Sequence, residues 1–153
     1  MECAERIARV YRLLGTITAN IAFVRGEIPS LEMPGGLGTE ITTLCDEFDS
    51  ALYDIRKEVR VLEDKLGMHP GEEPFDPEVV NTDPSATVSL ILGWLRQQTE
   101  DLDATVMKVQ RLADREPGLG AVEVLLNESG ADILSAAHAI RDVLRSIPVC
   151  SDA

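Results

Sequence analysis

The sequence predicts an all-α protein, a four-helix bundle of long amphipathic helices, and three observations carry that prediction. Apolar residues recur at steps of three and four over long runs, the period of one helix face. Aromatic residues make up 4% of the chain, so the core is aliphatic, which suits helices better than a β-sandwich. Gly and Pro gather into short stretches that divide the periodic runs into four. A chain of 153 residues has the size of one domain, taken as 1–147, with 148–153 a frayed tail.

The first helix is expected over about 2–25, with Cys3, Ile7, Val10, Leu14, Ile17, Ile21 and Val24 inward and Gly26 as its stop. Residues 27–38 form a breaker-rich connection whose Ile28, Leu31, Met33 and Leu37 are expected to plug one end of the bundle. Thr39 is the expected N-cap of a second helix over 39–66, with Ile41, Leu44, Phe48, Leu52, Ile55, Val59, Leu62 and Leu66 inward. A third helix, 84–115, starts at Asp83 as N-cap with Pro84 at its first position. Its inward set is Val88, Leu92, Leu95, Thr99, Leu102, Val106, Val109 and Ala113. The breaker Arg115-Glu116-Pro117-Gly118 then makes a tight antiparallel hairpin with a fourth helix, 118–147. That helix turns Leu119, Val122, Leu126, Ser129, Ile133, Ala136, Ile140, Val143 and Ile147 inward, widened by Gly130, Ala137 and Leu144. Its small residues admit a closely packed neighbour from the same chain or from a second copy, so homodimerisation is among the expectations.

The net charge is −13, and its distribution is uneven. Residues 1–66 and 84–153 are each at −4, whereas 67–83 hold five acids and no Lys or Arg. That long acidic connection between the second and third helices is long enough either to turn back locally or to cross the bundle. An acidic surface repels nucleic acid and anionic lipid, so neither direct nucleic-acid binding nor a membrane role is expected, whereas a basic protein partner is admitted. Cys3, Cys45 and Cys150 form neither a C-x-x-C pair nor a disulfide framework, and the charged N-terminus is not that of a signal peptide. With no spanning-length apolar stretch read, the expected location is cytoplasmic. Cys3 and Cys150 lie near chain ends that an even number of alternating helices brings together, so a crosslink between them is conceivable.

Candidate chemistry is sparse, and no cofactor is expected. Neither His69 nor His138 has Glu three residues before it, which excludes the di-metal carboxylate sites of helical bundles. Asp46-x-x-Asp49 and Glu100-x-x-Asp103 place carboxylate pairs at a spacing that shares a helix face. They resemble the paired acidic motifs of all-α nucleotide pyrophosphatases, and that resemblance implies Mg²⁺-dependent nucleotide hydrolysis. The segment Ser135-Ala-Ala-His-Ala-Ile-Arg-Asp142 resembles the phosphorylated-histidine segment of histidine-phosphotransfer domains over fewer than ten residues. It implies phosphoryl transfer through His138, and departs from the family at Asp142, where a Gly makes room for the receiver domain. Glu72, Glu73 and Asp76 in the acidic connection, and Trp94 at the edge of the third helix's stripe, are the candidate partner-binding residues. The expected function is a non-enzymatic helical interaction protein, an adaptor, small subunit or inhibitor docking on a larger partner. Metal-dependent nucleotide hydrolysis and histidine phosphotransfer are the alternatives.

Overall fold

In a computed structural model the chain forms helices α1 (Cys3–Glu27), α2 (Leu37–Lys65), α3 (Pro84–Ala113) and α4 (Gly120–Ser146), with 3-10 turns at Ile28–Ser30 and Pro117–Leu119. The structure describes residues 2–68 and 83–147, and among them there is no strand. The acidic connection's Glu72, Glu73 and Asp76, with His69 and Cys150, lie outside the described residues.

Each helix buries one stripe, and the four stripes share a single aliphatic core. In α1 the buried residues are the seven expected from the sequence, Cys3 through Val24. In α4 the predicted set and its small-residue extension are buried, with Leu125 added. The small residues are covered within the chain: a Cβ on Gly130 would stand 3.5 Å from Val106 of α3. The close neighbour is therefore intramolecular, which removes the sequence-level argument for a second copy.

Three local expectations are corrected. α1 runs through Gly26, and the chain leaves it by the 3-10 turn beginning at Ile28. α2 starts two residues before Thr39: Gly36, at φ +95°, is the N-cap, and Leu37 is buried as the first helical residue. Only glycine adopts that left-handed conformation at little cost, and the Leu37 side chain, entering the core, draws the helix start back to it. In α3 the buried stripe includes Ile91, fully enclosed, while Leu92, Thr99 and Val106 are half-buried. The helix is rotated slightly from its predicted stripe, so these three residues lie on the flank toward α4.

Neighbouring helices are antiparallel all round the bundle. α1 packs on α2 and α4, and α3 packs on the same two helices. Lys65 at the end of α2 donates to Thr87 Oγ1 (2.6 Å) and to the Asp83 carbonyl (3.4 Å) at the start of α3. At the other end of that pair, Lys108 holds Glu40 at 2.7 Å. The chain thus re-enters beside the point where α2 ended, and the bundle is up-down-up-down. Gln110 donates to Asn127 (3.0 Å) across α3 and α4, and Arg6 donates to the Ser146 carbonyl (2.8 Å) across α1 and α4.

By length and apolar composition, the segment Cys3–Ser30 also meets the description of a membrane-crossing helix, which the sequence reading did not credit. Its apolar stripe is occupied by contacts in the core.

Candidate functional site: an arginine groove between α3 and α4

The antiparallel packing of α3 on α4 leaves a cavity of about 390 Å³ near the end of the bundle where α3 begins and α4 ends. Three arginines line it, Arg96 of α3 with Arg141 and Arg145 of α4, and His138 of α4 stands with them. The three α4 residues occur at steps of three and four, so one helix face carries them all. Ser89 and Thr99 add hydroxyls, and Leu92, Leu95 and Ala137 form an apolar floor. Among the described residues no Asp or Glu lines the groove, although the chain carries 27 acids and 14 Lys and Arg. A charge distribution of that kind attracts an anion against the field of the whole molecule.

These cations are weakly engaged. Arg96 stands 3.8 Å from Glu100, with both side chains largely exposed. Arg141 Nε lies 3.5 Å from Asp142 Oδ1, without hydrogen-bond geometry, and that nitrogen is buried without an acceptor. Arg145 has no ion pair among the described residues. Exposed pairs at such distances contribute roughly 0–1 kcal/mol, so an incoming anion competes with little.

Gly93 lines the groove. A Cβ built there meets nothing within 4 Å, so no neighbour requires glycine at this position. Glycine inside a helix is less favourable than alanine by about 1 kcal/mol. That unfavourable choice keeps space open beside Leu92 and Arg96.

The residues singled out by sequence are distributed differently. His138 is exposed and lines the groove. Asp142 lines a separate cavity between α1 and α4 with Arg6 and Arg9, so its position is not in the histidine's groove. Asp46 and Asp49 are brought together, but by Arg25 of α1, at 2.8 and 2.6 Å. The Asp49 bond is the main cause that raises the Arg25 pKa, so this cation remains in place. Glu100 faces Arg96, and Asp103 is exposed on α3. Glu40, Glu47 and Asp101 instead line a shallow cavity between α2 and α3 with Lys108, which is held by Glu40. Among the described residues, no three or more His, Cys, Asp or Glu gather to hold a metal ion. Trp94 is half-buried against the core. It lies seven residues from both Thr87 and Asp101, on the α2 flank of α3 and away from the arginine groove.

A second polar cluster ties α1 to the end of α2. Tyr11 donates to the buried Glu63, and burial first, then that carboxylate, raises the phenol's pKa well above its ordinary value. Arg60 lies 3.6 Å from Glu63 and 3.7 Å from the equally buried Asp64, and Arg56 donates to Thr18 at 2.7 Å. The Tyr11–Glu63 and Arg56–Thr18 bonds tie α1 to α2, whereas the Arg60 pairs lie within α2.

Arg96, Arg141 and Arg145 are not among the residues singled out by sequence. The spacing of His138, Arg141 and Arg145 was a usable signal; Arg96 becomes their neighbour only through the hairpin. No protein-family model, no characterised protein and no solved structure matches this chain.

Proposed function

We propose that this chain is a non-enzymatic helical interaction protein that docks on a larger protein partner, with the groove between α3 and α4 receiving an acidic group of that partner. The observation that carries the reading is the convergence of Arg96, His138, Arg141 and Arg145 in one cavity with no Asp or Glu among its described lining residues, on a chain at −13. Arginine clusters recognise acidic and phosphorylated motifs by charge and by paired N–H donors. The reading shifts the contact from the acidic connection, with its basic partner, to a basic groove with an acidic one. A pull-down from cell extract tests it. Arg141→Glu with Arg145→Glu should release a stoichiometric partner, whereas reversing Glu72, Glu73 and Asp76 should leave it bound. The opposite pattern would transfer the contact to the acidic connection.

A second reading, phosphoryl transfer through His138, is favoured by one observation. The imidazole is exposed within reach of a wall of guanidinium groups, the setting in which a phosphoryl group is stabilised. Incubation with a small phosphodonor, followed by a search for acid-labile phosphate at His138, decides it; no label ends the reading. The hydrolase reading has less support, because Asp46 and Asp49 are both ion-paired to Arg25 and do not converge with Glu100 and Asp103.

A further inference from the structure

We infer that the ligand of the arginine groove is a phosphate monoester with a compact apolar body, a more specific occupant than a carboxylate. This rests on the proposed function above and identifies the acidic group it leaves open. The first argument is charge. Arg96, Arg141 and Arg145 line one cavity with His138 and, among the described residues, no carboxylate lines it, the nearest acids Glu100 and Asp142 being loosely held at 3.8 and 3.5 Å; a single carboxylate is satisfied by one bidentate guanidinium. A dianion with three acceptor oxygens uses donors from both helices at once.

The second argument is shape. The cavity of about 390 Å³ falls in the range of small-molecule sites, and Leu92, Leu95 and Ala137 line it beside the cations. Bare phosphate would leave that floor exposed to water. The open space at Gly93 adds room beside the apolar lining, where a ring or short branched chain would sit. Ser89 supplies a neutral hydroxyl, while the Thr99 hydroxyl already donates to the Arg96 carbonyl at 3.0 Å. Two sources present this chemistry: a phosphotyrosine in a partner protein and a free aryl or alkyl phosphate.

Titration calorimetry and amide chemical-shift mapping on the full chain test the inference, with phenyl phosphate as the probe. Phenyl phosphate should bind one-to-one, shift Gly93, Ala137 and His138, and bind at least tenfold tighter than benzoate or inorganic phosphate. Arg141→Gln should weaken binding tenfold or more. Gly93→Leu should abolish it without lowering the melting temperature, which separates a filled groove from a misfolded chain. Benzoate binding as tightly as phenyl phosphate would overturn the inference, as would shifts mapping elsewhere or an unaffected Arg141→Gln variant. A glutamate-rich peptide that binds the groove when phenyl phosphate does not would overturn it while leaving the proposed function standing. If neither binds, both fall. A phosphotyrosine peptide binding tenfold tighter than phenyl phosphate supports a protein-borne source, and equal or weaker binding supports a free one.

Discussion

Gly93 and Asp83 show how single residues report on what α3 is for. Gly93→Ala places a methyl group where nothing stands within 4 Å and removes the backbone freedom of glycine. It is therefore expected to stabilise the protein by about 0.5–1 kcal/mol in urea denaturation. A destabilised variant would mean that the position is packed after all. Asp83 accepts from the Ser85 amide at 2.9 Å, and that bond is the main cause holding its carboxyl below the usual value. A depressed folded pKa contributes stability at pH above the unfolded value of about 4, lost as pH falls through the folded one. Asp83→Ala should thus lower the melting temperature at pH 7, and its difference from the native chain should close as the pH drops well below 4. A difference independent of pH would assign the cap's contribution to something other than the carboxylate.

At the scale of elements, packing outweighs surface charge. Phe48 is completely buried at the centre of α2, so Phe48→Ala is expected to destabilise by about 3–5 kcal/mol. Arg25→Ala breaks contacts to two carboxylates, yet all three side chains are more than a third exposed, so it should cost no more than about 1 kcal/mol. Chemical denaturation of both variants checks the order, and a larger effect at Arg25 would contradict it. The same contrast explains what was legible. The α1 and α4 stripes could be read directly because burial follows helical period over many turns. Ile91 is buried outside the expected stripe because Leu92 beside it fits a seven-residue repeat equally well, and only the direction of the neighbouring helices selects between them. The start of α2 at Leu37 followed from core entry and a left-handed Gly36, where local capping rules pointed to Thr39.

For the whole molecule, closure of the ring of helices brings the start of α1 beside the end of α4, with Arg6 bonded to the Ser146 carbonyl. Cys3 is disulfide-bonded and Cys45 is free, while Cys150, the cysteine that the sequence makes a conceivable partner of Cys3, lies outside the described residues. Peptide mapping without reductant is expected to recover Cys3 linked to Cys150. Reduction should then lower stability by about 2–4 kcal/mol, as loss of a long-loop crosslink does. Recovery of Cys3 as a free thiol would refute this. Such a bond persists in an oxidising compartment and not in the cytoplasm expected from cysteine usage, so thiol trapping in intact cells tests both at once.

The sequence by itself determined the helices, their number and most of their buried faces, because a three-four repeat of aliphatic residues is stable only when one side of each helix is covered. It also carried His138, Arg141 and Arg145 on one face of α4. Only the tertiary structure decided that α2 and α3 run side by side from adjacent ends, and that Arg96 faces the α4 cations across a space kept open at Gly93. It likewise decided that the Asp46 and Asp49 carboxylates are spent on Arg25. Periodicity specifies which side of a helix is hidden from water; the pairing of charges between helices depends on axial register and rotation, which no single helix encodes.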